Sequence, residues 1–296
     1  MLDVSDILQI EAIAELGSIS KASERLHVSQ PTLSKRLARL EHTLGVTLFH
    51  RSGSGMRPTE ATLFLMGAGE SLKGQVTAIQ RHLELMNSLE TGELKLGIGP
   101  IVEQLFFPKF LLQFASTAPQ VEIELRMEPA GDLLSMLQAG ILDAIVGPFT
   151  PGSVPDGLNA TPIASEQLII VARADHPLLN MEERIQLGDL HAYPLIGPEA
   201  PTSIQASSNL LDELPVPRIR CENYSTSKAM IQASDYYTCG PRSLFSQELE
   251  EGTLKKLHLE IDVNWTASFV THPEAICTPL IREALKLFSA IGEAQA

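Results

Sequence analysis

Polar and cationic side chains cluster near the start of the chain. Ser29, Gln30, Pro31, Thr32, Ser34, Lys35 and Arg36 fall within eight positions, and Arg51 and Arg57 bracket a Gly/Ser stretch shortly after. Gln suits adenine edges, Lys and Arg reach guanine or phosphate, and Ser and Thr serve either. The set fits a surface that reads base edges and holds phosphates.

Catalytic constellations are missing from the sequence. It has no G-x-S-x-G, no G-x-x-x-x-G-K-[ST], no H-E-x-x-H and no G-x-G-x-x-G after a strand. The eight histidines are dispersed without metal-ligand spacing. Cys221, Cys239 and Cys277 are too few and too scattered for a disulfide framework or a Cys-rich zinc site. No catalytic residue, metal site or cofactor is expected. Cys221 and Cys239 admit two readings, as redox-sensing thiols or as buried, inert ones. Three buried, inert thiols are the default.

Charge separates the first segment from the rest. The chain has 296 residues and a formal net charge of −14. From Met1 to Glu60 seven basic residues cancel seven acidic ones, so the excess lies entirely after Glu60. Between Lys21 and Arg57 the seven basic residues face only Glu24 and Glu41. One basic island in an acidic protein fits phosphate contact but not general polyanion binding. The length exceeds the roughly 100–200 residues of one domain, which implies more than one compact unit. The first residues lack the basic and apolar regions of a secretory signal. No apolar stretch approaches the ~20 residues of a bilayer span, so a cytoplasmic protein with no membrane partner is expected.

The elements that must position the basic island follow from periodicity. Leu2, Ile7, Leu8, Ile10, Ile13, Ala14 and Leu16 mark a first helix, stopped by Gly17. Ser18 or Ser20 caps a helix of barely two turns, and Ser29 caps a third, with Pro31 in its first turn. Leu33, Leu37, Leu40 and Leu44 give that third helix an i, i+4, i+7, i+11 stripe ending at Gly45. The opposite face then shows Gln30, Thr32, Ser34, Lys35 and Arg36, and free N–H groups at the helix start suit phosphate. Val46–His50 reads as a strand and Arg51–Arg57 as a basic wing. A three-helix interaction module is the bland alternative.

These residues resemble a known pattern. Gly17-Ser18-Ile19-Ser20-Lys21-Ala22, Leu26-His27-Val28-Ser29-Gln30-Pro31-Thr32-Leu33-Ser34, Leu40-Glu41, Leu44-Gly45 and Leu48-Phe49-His50-Arg51 resemble the winged helix-turn-helix of LysR-type transcriptional regulators. Ser23 replaces a common Ala, Leu8 a common aromatic, and Thr62 a common Gly after the wing. The resemblance implies an α/β chain with an all-α-dominated winged helix-turn-helix over residues 1–58, spanning about Ser18 to Leu37 in its DNA-reading part. It implies a linker and dimerisation helix over 59–91 and a two-lobed, periplasmic-binding-protein-like effector domain over 92–296.

The remaining sequence carries matching patterns. Thr59 and Glu60 open a long helix with Leu65, Leu72, Val76, Ile79, Leu83 and Met86 at two-helix-seam spacing. Gly67, Gly69 and Gly74 each lower its propensity by about 1 kcal/mol, so it needs packing, against a partner or against its own chain. From Glu93 strands and helices alternate: Leu94–Gly99, a helix over Val102–Phe114, Val121–Arg126, Asp132–Ala139 and Leu142–Gly147. That order implies a parallel sheet. A second unit begins near Ile163 with the strand Leu168–Ala172. Phe107-Pro108, Leu142-Asp143-Ala144 and His176-Pro177-Leu178 resemble the family's effector domain, with lobe I at 92–162 and 266–296 and lobe II at 163–265. Ligands in such sheets sit beyond the strand ends. Gly99, Pro100, Ile101, Val102, Gly147, Pro148 and Phe149, with Thr202 and Ser203 from lobe II, are the candidate effector contacts. Pro100 and Val102 stand where a hydroxyl is common, which points to a less polar effector or to an anion held mainly by Thr202 and Ser203. Tyr236 and Tyr237 either line the cleft or pack between lobes.

The expected protein is a homodimeric or homotetrameric regulator of double-stranded promoter DNA, answering a small effector and touching RNA polymerase. It reads an inverted repeat and is not an enzyme. The alternative is a small-molecule binding protein or enzyme with a helical interaction module.

Overall fold

The computed structural model describes residues 2–52, 55–85, 92–181, 185–198, 215–259 and 263–294. Helix α1 spans Val4–Leu16, and Asp3 and Asp6 cap it reciprocally, each carboxylate accepting the other's backbone N–H. Gly17, at φ 59°, ends it in the left-handed conformation that glycine takes without strain. Ser18, not Ser20, caps α2 (Ile19–Arg25), while Ser20 takes the Ser23 hydroxyl on its carbonyl at 2.7 Å. Helix α3 (Gln30–Leu44) begins at the Ser29 cap, and Leu33, Leu37 and Leu40 bury its inner face against Ile10, Ile13 and Ala22.

The wing is a two-stranded hairpin, β1 (Phe49–Ser52) against β2 (Gly55–Pro58). The strand expected over Val46–His50 begins only at Phe49. The N–H groups of Leu48 and Phe49 are taken by Glu41 Oε1, at 2.8 and 3.3 Å, so the incoming chain bonds a side chain of α3 before it meets its strand partner. The Thr62 hydroxyl, fully buried where a glycine was common, donates to Leu48 O on the same segment. Met56 N–H donates to Gly17 O at 2.8 Å, tying the wing to the end of α1.

Helix α4 (Glu60–Leu85) starts with the Thr62 N–H on the Thr59 hydroxyl at 3.4 Å. Ala61, Leu65 and Met66 pack on the head's core. Gly69 is required here, because a Cβ on it would lie 2.3 Å from Ile7 Cγ2. Met86 lies outside the described residues.

The acidic unit opens with β3 (Gly92–Ile98), α5 (Pro100–Leu105) and α6 (Phe107–Thr117). The single helix expected over Val102–Phe114 is broken at Phe106. Pro108 has no N–H and its ring crowds the carbonyl four residues back, so a new helix begins with Pro108 in its first turn. Then come β4 (Val121–Arg126), α7 (Ala130–Gln138) and β5 (Ala144–Gly147), with β3 parallel to both β4 and β5. The expected parallel sheet holds for these three strands only. Strand β6 (Asn159–Arg173) pairs antiparallel with β11 (Asn264–Thr271), which is itself antiparallel to β5. Beyond Gln167, β6 continues against β9 (Tyr237–Pro241) and β10 (Leu254–Lys256). The chain therefore changes partners between Gln167 and Leu168 inside one long strand, a few residues after the expected Ile163 and without a break. Between these strands lie β7 (Ile196–Gly197), β8 (Ile219–Arg220), α8 (Tyr224–Gln232) and α9 (Ser246–Glu250), and α10 (Pro279–Glu293) follows β11.

The large core stacks Phe110 on Phe288 with centroids 4.3 Å apart, above Leu94, Leu96 and Ile98 of β3. Such a pair adds about 0.5–1.5 kcal/mol beyond its buried area. Asp143 is buried yet fully engaged: Oδ2 accepts from Lys95 N at 2.7 Å, its N–H donates to Lys95 O, and its carbonyl takes the Thr271 hydroxyl. It therefore joins β3 and β11 at the edge of β5. His176, also buried, accepts from Leu178 N at Nδ1, which leaves its Nε2–H to donate to Asp235 O at 3.1 Å. Tyr237 is buried in the large core and Tyr236 packs on a second cluster, so both tyrosines pack. Among the described residues, no helix is long and apolar enough to cross a membrane, and no three His, Cys, Asp or Glu side chains could hold a metal.

Two substitutions test these ties. Glu41→Ala strands two backbone donors, so urea unfolding of the head should show a loss of about 1–3 kcal/mol. Asp143→Ala should cost the acidic unit a similar amount, about 1–3 kcal/mol, while the α3 head stays folded by amide exchange.

Candidate nucleic-acid interface and ligand cleft

The stripe of Leu33, Leu37 and Leu40 fixes which side of α3 faces outward. At 100° per residue Lys35 stands opposite that stripe, flanked by Pro31, Thr32, Ala38 and Arg39. Gln30, Pro31, Thr32, Lys35 and Arg36 are exposed, and Ser34 is half-buried. Arg36 lies to one flank, over a small hollow lined by Asp6, Gln9 and Ile10 of α1. Arg57 is exposed on β2, and Arg51 pairs with Met56 on β1 through its backbone. Lys35, Arg36, Arg39 and Arg57 make no ion pair among the described residues, whereas Arg25 is paired to Glu15. Unneutralised cations on one exposed face are what a polyanion needs.

Two hydroxyls expected to read bases are occupied. Ser29 Oγ accepts from Thr32 N–H at 3.3 Å and shares a 2.7 Å hydrogen bond with the Thr32 hydroxyl. Ser29 and Thr32 thus shape the start of α3. The free helix-start donors are also fewer than expected. Pro31 has none and Ser29 holds that of Thr32, which leaves the Gln30 amide. Arg39, outside the expected set, is exposed on the same outer face one turn after Lys35. Glu41 was missed as a positioning group, because its partners Leu48 and Phe49 are seven and eight residues away.

In the acidic unit, Gly99, Gly147 and Pro148 meet where β3 and β5 end. A Cβ on Gly99 would lie 3.4 Å from Pro148 Cδ, and the Gly99 N–H donates to Val146 O. Pro100 and Ile101 are half-buried beside them. Val102 and Phe149 are corrections to the expected contact set. Their side chains, 0% and 2% exposed, belong to the cores on either side of the sheet, and Gly99 and Gly147 are buried as well, which leaves Pro100, Ile101 and Pro148 as the half-exposed members of the set. Thr202 and Ser203 lie outside the described residues. Two contacts that the sequence did not show join α5 and β6 to the far side. Gln104 Nε2 donates to Ser225 Oγ at 3.2 Å, and Glu166 accepts from the Ser243 N–H and hydroxyl at 3.0 and 2.6 Å. Ile101 and Leu105 also touch the cluster around Tyr224 and Phe245.

All three cysteines are free thiols. Burial pushes Cys239 up to about 11, so it stays protonated at neutral pH, and a thiolate is the reactive form. Cys221 donates to Asn223 O at 3.4 Å, and Cys277 is exposed, contrary to the expectation of three buried thiols.

With that geometry in hand, likeness to known proteins is informative. The sequence model of the bacterial regulatory helix-turn-helix protein, lysR family, matches residues 5–62, and that of the LysR substrate binding domain matches residues 87–290. An SDS degradation transcriptional activation protein of a Pseudomonas species is 31% identical over 262 residues, covering 88% of this chain and 85% of that one. The crystal structure of ArgP from Mycobacterium tuberculosis shares 19% identity, covers 99% of this chain and 98% of its own, and superposes with a TM-score of 0.64. Full-length LysG of Corynebacterium glutamicum with bound effector Arg shares 19% identity over 98% of both chains, with a TM-score of 0.61. At that identity the two structures establish the fold. The family models span most of the chain and name regulators, which removes the enzyme alternative. The chain belongs to the LysR family of bacterial regulatory helix-turn-helix proteins, and it is a DNA-binding transcriptional regulator.

Proposed function

We propose that two copies of the chain pair through α4, present two α3 helices to an inverted-repeat operator, and change transcription when a small effector enters the cleft at α5. The carrying observation is an apolar stripe with nothing on it. Leu72, Val76, Ile79 and Leu83 recur at i, i+4, i+7 and i+11 on α4, and all four are exposed, Ile79 at 59% and Leu83 at 58%. A stripe at that spacing is a two-helix seam, and an identical stripe on a second copy is its natural complement. Dimers can pair again into a tetramer through a second surface.

Each head then supplies Gln30, Ser34, Lys35 and Arg36 to the major groove and Arg57 and Arg51 to the backbone or minor groove. The bond from Gln104 to Ser225 ties α5 to α8, and Glu166 ties β6 to the turn after β9. A ligand that replaces the first of these contacts binds one arrangement better than the other, which is the condition for regulation. Gly99, Pro100, Ile101, Gly147 and Pro148 give that side an apolar character, and Thr202 and Ser203 would supply hydroxyls from the other. The bound arginine of LysG supports a small effector as the ligand class. As a transcription regulator the protein works in the cytoplasm, beside RNA polymerase at the promoter.

Binding to the promoter next to the protein's own gene, at two salt concentrations and against excess unrelated duplex, tests the reading. Specific, salt-sensitive binding is expected, and equal affinity for every duplex would remove it. Lys35→Ala should cost about 1–3 kcal/mol at the cognate site if it reads a base, or weaken all duplexes evenly with a shallower salt slope if it meets phosphate. Ile79→Asp should leave the monomer folded but shift sedimentation to a single copy. Loss of the second head should then lower affinity for the two-half-site operator by about 10²-fold. A variant that stays dimeric would rule out the α4 seam.

A further inference from the structure

We propose that Glu11 and Lys73 are positioning residues for DNA recognition: their ion pair fixes the angle of the head on α4, and so the half-site spacing that a dimer reads. The inference rests on the paired-head reading above.

Glu11 lies on α1 and Lys73 on α4, and Lys73 Nζ meets Glu11 Oε2 at 2.7 Å. The carboxylate side chain is only 12% exposed, and its second oxygen is buried with no hydrogen-bond partner. A charge so placed costs desolvation that one ion pair repays incompletely, and apolar groups of similar size would hold two helices at least as firmly. Stability is therefore a poor reason for this pair. What a single directed bond adds over apolar contact is a unique register.

The surroundings show why register needs fixing. Gly69 is the point of closest approach between α1 and α4, where even a methyl group would collide with Ile7. A backbone resting on a side chain with no knob of its own is a pivot. The Thr62 hydroxyl on Leu48 O anchors α4 to the wing on one side of that pivot. Lys73 is four residues beyond it, about 6 Å along the helix, and its bond to Glu11 stops α4 from swinging. Thr62, Gly69 and Lys73 share one helix face, while Val76 and Leu72 of the proposed seam lie about 40° and about 80° round from it. The pair thus sits beside the seam and sets the direction in which the head leaves it.

The test uses the full chain and a duplex selected by the wild type from a random pool, rebuilt with its half-sites moved by one to three base pairs. Each added base pair shifts a half-site by about 3.4 Å and rotates it by about a tenth of a turn, so spacing reports head angle. The wild type should show one sharp optimum. E11Q/K73M should bind a single half-site within about twofold of wild type, yet its preference for the optimum should fall by about fivefold or move. E11L/K73M, which fills the site with apolar groups, serves where the first variant fails to fold, and thermal unfolding checks both. The reversed pair E11K/K73E should restore the optimum. A folded double variant with the wild-type profile overturns the proposal, and so does one that loses single and paired half-sites in equal measure, since that is damage to the head. A wild type indifferent to spacing would instead overturn the paired-head reading on which the proposal stands.

Discussion

Everything this regulator does at DNA depends on the burial of Leu33, Leu37 and Leu40 against α1 and α2. A helix that keeps Lys35, Arg36 and Arg39 without carboxylate partners has no local electrostatic support for its outer face. Its stability must come from the inner one, where each leucine contributes about 1.5–3 kcal/mol of transfer free energy. The same burial dictates the rotation of α3, and so which side chains can meet a base edge. The cap at Ser29 and the left-handed exit at Gly45 then set where the helix starts and stops. Affinity for DNA and stability of the fold are thus assigned to opposite faces of one helix.

The acidic unit solves a different problem, that of joining two halves. It does so with continuous backbone. Strand β6 is bonded along its first half to β11 and along its second to β9 and β10, so the two sheets share one strand. A shared strand bends at low cost but does not dissociate, which suits halves that open and close around a ligand. Elsewhere the halves meet through apolar contacts, Ile101 and Leu105 on the cluster around Tyr224 and Phe245, and through polar ones such as Gln104 on Ser225. Exposed polar contacts of this kind are worth about 0.5–1.5 kcal/mol each, small enough for a ligand of modest affinity to replace. The negative charge of this unit also keeps it from competing with the heads for phosphate.

What the sequence made legible was whatever is decided within one turn of chain. Ser29, Pro31 and Gly45 announce α3 because capping and left-handed exits are local events. The leucine period announces its inner face for the same reason. Pro108 carried its message too, but the apolar run around it hid the break at Phe106. Long-range facts were not legible. Glu41 reads as a surface residue of a helix until Leu48 and Phe49 return to it, and Gln104 meets Ser225 from 121 residues away. The length of β6 was underestimated because its first half alternates weakly and is held by a partner about a hundred residues later. Val102 and Phe149 were misplaced for a geometric reason. A residue next to a strand end may be near a cleft in sequence while its side chain turns into the core on either side of the sheet.

The head and the acidic unit share a design in which backbone or leucines supply strength and single polar bonds supply direction. Glu41 on the wing, Thr62 on Leu48, Lys73 on Glu11 and Gln104 on Ser225 are each one or two hydrogen bonds set in otherwise apolar contacts. None contributes more than a small part of the stability of its unit, because net hydrogen-bond free energies are about 1 kcal/mol. Yet each selects one arrangement among several that apolar packing alone would tolerate, since hydrophobic contact is non-directional. A regulator gains from that division. Its arrangements must be distinct enough for DNA to tell apart and close enough in free energy for a small molecule to exchange them. A network of single bonds over a permissive apolar base meets both conditions, and a tightly interlocked interface would meet only the first.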